Sequence, residues 1–324
     1  MITVVGIGAD GWDGLAPASR RAIAAADVLL GSRRQLDLVP DPVPDPDPEP
    51  SGGGSPRSAG TPSRVVLPSP LLPNLEPLLE SFAGREVCVL ASGDPMFYGI
   101  GSTLVRLLGA DQVRVLPHVS SVSLACARLG WPVEQVEVVS AVGRPLDVLR
   151  PALAPGRRVL VLGSSPEAVT RLLGEAGYAA SRVTVLSDLG AATESVRPAA
   201  QAGPTRLHVI AIECALDPGA EPLPRVPGLP DDAYDHDGRL TKREVRAVTL
   251  SLLAPLPGEL LWDVGAGAGS IAIEWMRTHP ACRAVAIERH PERAARIRRN
   301  ADTLGVPALQ VVEGRAPDAL DGLP

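Results

Sequence analysis

The sequence predicts an α/β protein made of two successive domains. Three observations carry this reading. From Arg64 to about Glu213, short apolar runs alternate with helical runs, the pattern of a mostly parallel sheet. Between Leu260 and Glu288 a strand, a glycine-rich turn, a helix, a second strand and a distal acid follow in order. The stretch 214–230 between them is rich in proline and polar residues and reads as a linker. At 324 residues the chain has room for two to three domains.

The elements follow in order. Ile2 to Gly6 is a strand and Gly6-Ile7-Gly8-Ala9-Asp10-Gly11 its turn. Pro17 opens a helix to about Ala26, because proline suits a first helical position. Val28 to Leu30 is a second strand. Residues 40–63 break the pattern: prolines alternate with acids, and Ser51-Gly52-Gly53-Gly54-Ser55 follows. This composition predicts a disordered insertion, with a proline-motif ligand as the alternative. Glu86 to Ala91, Val113 to Leu116, Arg158 to Leu162, Arg182 to Leu186 and Leu207 to Ile212 read as strands, and Ser120 to Leu129 as a helix. Thr241, with Glu244 three residues on, predicts a capping box for a helix over Arg243 to Leu253.

Composition excludes several function classes. The net charge is −6, and all the basic residues but Lys242 are arginine, so a coding bias explains the arginines better than nucleic-acid binding. Cys88, Cys126, Cys214 and Cys282 form no CxxC pair, so neither zinc nor a redox motif is indicated. The five histidines show no metal-like spacing, and no metal is expected. No apolar run reaches the ~18 residues of a membrane span, and the chain opens into a strand without a leader pattern, which predicts a cytoplasmic protein.

The sharpest chemical signal is the second glycine loop. Leu260 to Val264 runs into Gly265-Ala266-Gly267-Ala268-Gly269, then a helical run from Ser270. A dinucleotide loop has the spacing GxGxxG with pyrophosphate on the helix N-terminus. Here the spacing is Asp-x-Gly-x-Gly-x-Gly, with Asp263 two residues before Gly265. That acid repels a pyrophosphate but accepts from an ammonium. Glu288, ending the next apolar run, can accept from ribose hydroxyls. Amine, ribose and close backbone together suit S-adenosylmethionine; the alternative is a glycine turn of some other α/β domain.

In the first domain, Ala91-Ser92-Gly93-Asp94-Pro95-Met96-Phe97-Tyr98-Gly99 follows a buried strand. Alone it is a turn signal. With Gly6-Ile7-Gly8, His118-Val119-Ser120-Ser121 and Gly143-Arg144-Pro145 it forms a set of loops at strand C-terminal ends, where open α/β sheets bind ligands.

On these motifs, with Gly31-Ser32-Arg33-Arg34-Gln35-Leu36, residues 1–213 resemble the tetrapyrrole methylases, the class III S-adenosylmethionine methyltransferases. On Leu240-Thr241-Lys242-Arg243-Glu244-Val245-Arg246 and Asp263 to Glu274, residues 231–324 resemble the C15-methylating, decarboxylating class I methyltransferases of cobalamin synthesis. The resemblance implies a two-lobed first domain, then a partial Rossmann-like domain, methylating a precorrin at C5 and C15 with loss of an acetate carboxylate. It implies cofactor contacts from Gly8, Gly93, Asp94, Met96, Phe97, Ser120, Ser121 and Leu162, then from Thr241, Asp263, Gly265, Gly267, Gly269 and Glu288, with Arg315 near the adenine. Arg33, Arg34, Arg144 and Lys242, with Arg239 and Arg243, are the expected partners of a polycarboxylate tetrapyrrole, since arginine binds carboxylates bidentately. His118 is the candidate proton shuttle. Neither nucleic acid nor membrane is an expected partner; a homo-oligomer is. Ala9-Asp10-Gly11 departs from the family's Gly-Pro-Gly. Three strands are predicted after residue 231, so this region is expected to be the N-terminal half of its domain. The competing readings are a single C5-methyltransferase with an inactive appendage and a non-catalytic S-adenosylmethionine-binding module.

Overall fold

The computed structural model describes residues 1–44, 61–203 and 207–324. Most of the proline, acid and glycine stretch expected at 40–63 therefore lies outside the described residues. The chain divides into two compact units, one of residues 1–133, 186–197 and 202–209, the other of 134–185, 198–201 and 210–324.

The first unit is built on a parallel sheet. Its strands are β1 (Ile2–Ile7), β2 (Val28–Gly31), β3 (Ser63–Val66), β4 (Val87–Ser92) and β5 (Val113–Leu116), in the order β3-β2-β4-β1-β5. The helices are α1 (Pro17–Ala24), α2 (Arg33–Asp37), α3 (Leu72–Glu80), α4 (Ile100–Leu108) and α5 (Ser121–Leu129). β4 is buried from Val87 to Ala91, which explains its unbroken apolar run: a central parallel strand is covered on both faces. The faces alternate. Val4 and Val89 belong to one core with Val28, Leu75 and Leu104, while Val5 and Leu90 belong to another with Ile23, Leu29 and Leu36. Each such buried side chain contributes about 1.5–3 kcal/mol of apolar transfer.

Local signals fix the helix ends. Ser32 and Gln35 form a reciprocal capping box on α2, with Gln35 N–H donating to Ser32 Oγ at 3.3 Å and Ser32 N–H to Gln35 Oε1 at 2.7 Å. Ser120 caps α5 by accepting from Ser123 N at 3.0 Å, and Gly130 ends it in the left-handed region.

The second unit holds β6 (Val136–Ser140), β7 (Arg158–Leu162) and α6 (Pro166–Glu175). With β8 (Arg182–Ser187), β9 (Ser195–Pro198) and β10 (His208–Glu213) they give a sheet of order β6-β7-β10-β8-β9. β6 and β7 are parallel, whereas β10 runs antiparallel to β7 with Ile210 opposite Val161. The same unit continues through α7 (Arg243–Leu253), β11 (Leu260–Val264), α8 (Ser270–Thr278), β12 (Arg283–Glu288), α9 (Pro291–Thr303) and β13 (Gln310–Glu313). These last strands form a parallel sheet, β11-β12-β13.

The stretch 214–230 is anchored along its length. Arg225 is ion-paired with Glu137 and donates to Pro151 O at 2.7 Å, and Leu229 is fully buried. One local expectation fails. α7 starts at Arg243 as predicted, but its cap is Lys242, without a side-chain bond, and the Thr241–Glu244 box does not form. The first helical bond runs from Arg246 N–H to Lys242 O, which puts Thr241 one residue before the cap, and its carbonyl accepts from the fully buried Arg246 guanidinium.

Candidate functional site

In the first unit, the loops after β1, β4 and β5 are joined by their backbones. Gly93 N–H donates to Ile7 O at 3.1 Å, and His118 N–H donates to Gly93 O at 3.3 Å. Gly6 permits this approach, because a Cβ there would lie 2.0 Å from Gly93 O and 2.6 Å from His118 N. A Cβ on Gly8 would lie 2.4 Å from Asp10 Oδ1 and 2.7 Å from His118 Nε2. Those two atoms lie 3.2 Å apart, with the histidine largely buried and Asp10 about one-third exposed. Asp10, the residue that departs from the family pattern, is therefore built into the turn.

Beside these loops lies a crevice within the first unit, lined by Gly8, Arg34, Ser92, Gly93, Ser121 and His208 among others. Arg34 Nη2 donates to Ser92 Oγ at 2.6 Å, and Gln35 Nε2 donates to the same oxygen at 3.0 Å. Burial lowers the Arg34 pKa, and the nearby Asp188 charge opposes that shift. The polar face of the crevice is thus a held arginine and a hydroxyl. Its apolar face includes Ile7, Leu124, Leu186 and Leu189.

Of the residues expected in this site, Gly8, Gly93, Ser121 and Arg34 line the crevice. Asp94 closes its own loop by accepting from Met96 N at 2.9 Å, Ser120 caps α5, and Met96 and Phe97 are exposed on the loop after Gly93. Arg33 is exposed at the start of α2. Leu162 and Arg144 belong to the second unit, at the end of β7 and in the turn after β6. Sequence reasoning missed Asp10, Gln35, Ser92 and His208. The signal for Gln35 was present, since Ser32 and Gln35 have capping-box spacing. His208 gave none. It starts a strand, and only the antiparallel direction of β10 puts that strand's beginning at the level where β7 ends.

The second candidate site is the loop from β11 to α8. Gly265, Gly267 and Gly269 all have positive φ, at 78°, 62° and 79°. A Cβ on Gly265 would meet nothing within 4 Å, and one on Gly267 nothing closer than Arg239 O at 3.6 Å. The loop beside this open space is pinned by its backbone, where Gly265 N–H and Ala266 N–H both donate to Ile287 O. Asp263 Oδ2 accepts from Ala272 N at 3.2 Å. Burial raises the Asp263 pKa; the Ala272 amide opposes the shift and the Glu288 charge adds to it. Glu288 accepts from Gly267 N and from His290 N, both at 3.0 Å. Thr241 is exposed, and Lys242 pairs with Asp231 at 3.4 Å.

Beneath this loop lies a buried polar cluster that sequence reasoning missed. Glu274 on α8, 2% exposed, accepts from Arg246 Nε at 2.8 Å, Tyr234 Oη at 2.8 Å, Gly228 N at 2.6 Å and Leu229 N at 3.1 Å. Arg246 also pairs with Asp231 at 2.8 Å. A buried carboxylate with this many donors is fully satisfied and fixes the helix that presents the glycine loop.

These two loop systems, each at the carboxyl end of parallel strands, define a methyltransferase of two parts. Residues 1–202 match the family model for Tetrapyrrole (Corrin/Porphyrin) Methylases, and residues 232–324 match that of a Precorrin methyltransferase domain. The precorrin-6Y C(5,15)-methyltransferase [decarboxylating] of Sinorhizobium sp is 47% identical, across 100% of this chain and 76% of the relative. The protein of that name from Mycobacterium tuberculosis (strain ATCC 25618 / H37Rv) is 43% identical, across 99% of this chain and 77% of the relative. The solved C-terminal domain of precorrin-6Y C5,15-methyltransferase from Rhodobacter capsulatus is 47% identical with a TM-score of 0.30, covering 32% of this chain and 55% of that domain. The chain spans about half the length of that solved domain. It belongs to the precorrin-6Y C(5,15)-methyltransferase (decarboxylating) family.

Proposed function

We propose that this chain methylates a precorrin from S-adenosylmethionine, at C5 through the first unit's crevice and at C15, with loss of an acetate carboxylate, through the β11–α8 loop. The observation that carries this reading is the open backbone cradle at Gly265 and Gly267, with Glu288 bonded to Gly267 N and Asp263 to Ala272 N. When bound, S-adenosylmethionine supplies an electrophilic methyl group on a sulfonium. Asp263 is the acceptor for the cofactor's ammonium and Glu288 for its ribose. The loop of Gly265, Gly267 and Gly269 brings the backbone close, and Thr241 and Arg315 flank it. In the crevice, Gly8, Gly93, Asp94, Met96, Ser120 and Ser121 would hold the cofactor.

The meso carbons of a reduced tetrapyrrole are already nucleophilic. The protein's task is therefore alignment more than base strength. Arg34, held by Ser92, takes a substrate carboxylate as a charge-assisted bond, with Arg33 as an outer partner. His118 receives the proton lost on methylation, and Asp10 holds the imidazole by its Nε2. The domain boundaries proposed are 1–213, 214–230 and 231–324.

Incubation with precorrin-6Y and methyl-labelled S-adenosylmethionine tests the reading. Two labelled methyl groups and release of carbon dioxide are expected. A product that keeps its acetate carboxylate and carries one methyl group would remove the C15 half, and no label in the tetrapyrrole would remove both.

A further inference from the structure

Aromatic residues make up only 3% of this chain, and two of them stand exposed side by side on the loop that leaves the crevice. Phe97 and Tyr98 are 39% and 50% exposed, next to Met96 at 45%. Their rings meet edge to face, with centroids 4.9 Å apart. Tyr98 has φ +52°, a left-handed conformation that a bulky side chain rarely adopts.

The loop is built to hold them there. Asp94 accepts from Met96 N at 2.9 Å, and Phe97 N–H donates to Asp94 O at 3.2 Å. Gly99 and Gly101 then pass directly over Pro95. A Cβ on Gly99 would lie 2.5 Å from Pro95 O, and one on Gly101 would lie 2.8 Å from Pro95 Cβ. Strain persists only where its surroundings over-determine it, and here a proline, two glycines and an aspartate do so. The same loop begins at Ser92, whose hydroxyl accepts from the Arg34 guanidinium. An edge-to-face aromatic pair and the serine that holds the Arg34 cation therefore share one loop, at the strand ends where the crevice opens.

We infer that Phe97 and Tyr98 form a platform for the face of the conjugated macrocycle, while Arg34 takes a carboxylate at its edge. The assignment rests on the substrate class proposed above and changes the role expected of Phe97 from cofactor contact to substrate positioning. A planar conjugated ring with carboxylates at its rim complements an aromatic pair whose loop also holds an arginine. The cofactor, whose charged and hydroxyl groups need donors and acceptors, gains little from two exposed rings.

The test measures binding of precorrin-6Y by tryptophan fluorescence quenching and binding of S-adenosylmethionine by calorimetry, in the full chain. Phe97→Leu and Tyr98→Leu keep apolar bulk and lose the ring. Tyr98→Phe keeps the ring. Tyr98→Gly removes the ring and also relieves the left-handed backbone. Aromatic stacking on a conjugated ring is worth about ten- to hundredfold in affinity. The leucine and glycine variants should lose about that much for precorrin-6Y, with cofactor affinity within about twofold of the parent, and Tyr98→Phe should match the parent. Thermal melts accompany each variant, and Tyr98→Gly should melt no lower than Tyr98→Leu. Equal loss of both ligands would assign the pair to the cofactor and overturn the platform. Undiminished precorrin-6Y binding by the leucine variants would also overturn it. Failure of the parent chain itself to bind precorrin-6Y would instead remove the proposed function, and the platform with it.

Discussion

The two glycine loops use the same residue for opposite physical reasons. Gly6 and Gly8 are glycines because there is no space: neighbouring backbone and side-chain atoms sit within 3 Å of where a Cβ would go. Gly265 and Gly267 are glycines because of their dihedral angles: φ is positive, while the space a Cβ would enter is empty or nearly so. The first loop is closed against its own protein, through Gly93 and His118. The second is pinned by its backbone to Ile287 O, with open space beside it. A sequence pattern of spaced glycines thus marks a close approach, but it does not say whether the approaching partner is another loop or a ligand.

The largest effect is expected from removing what supports the open loop. Arg246→Ala leaves Glu274 buried without its cation, and breaking a buried pair costs about 3–5 kcal/mol. Hydrogen exchange should rise across residues 227–275 and stay unchanged across 1–133. Protection lost equally in both regions would show that the two loops do not depend on separate supports.

Gly6→Ala strikes the closed loop. Its Cβ would press on Gly93 O, and overpacking of this kind costs about 1–3 kcal/mol. The stitch between the β1, β4 and β5 loops should open, read as faster exchange at Gly93 and His118 and weaker cofactor binding in the first unit. Retained exchange protection at both amides would contradict the closed-loop reading.

Gly265→Ala is a milder test of the open loop, since nothing blocks the methyl group and only the left-handed backbone resists it. The cost should be about 1–2 kcal/mol. Cofactor binding at that loop should fall while binding in the crevice holds, as calorimetry on the two sites would show. A stability loss well beyond about 2 kcal/mol would mean the space is not open in solution.

The smallest effect is a pH dependence from Asp263. Burial raises its pKa in the folded state, so the folded chain binds that proton more tightly than the unfolded one. Its contribution is most favourable below the ordinary carboxylate value. It is lost as pH rises from there through the raised folded value, and is constant above. Melting temperatures from about pH 4 upward should show this decline in the parent chain and a flatter profile in Asp263→Asn. Parallel profiles would remove Asp263 as the source.

Much of this was legible in the chain itself. Apolar runs locate β1, β4, β7 and β12, because a strand covered on both faces needs apolar residues throughout; β11 lies where its apolar run predicts, but Trp262 and Val264 are exposed, so the expectation of a buried strand there fails. Ser120 and Pro17 mark helix starts, because caps act within one turn. The Asp263 to Glu288 unit is readable because its strand, turn and acid are local. The Thr241 box was misread by one residue: the helix is capped at Lys242, whose side chain offers no capping oxygen.

Sequence by itself determined the α/β class, the two glycine loops and the family, since each depends on short-range periodicity or on residues close together in the chain. Only the tertiary structure decided which groups meet across long separations. Arg246 and Glu274 are 28 residues apart, Gln35 and Ser92 are 57 apart, and Asp10 meets His118 across the sheet. No local rule links such pairs, because a hydrogen bond or ion pair of this kind forms only once strand order has brought two loops to the same end of a sheet. For the same reason, the sequence could show that Gly6 and Gly265 are glycine, and only the packing around them could show why.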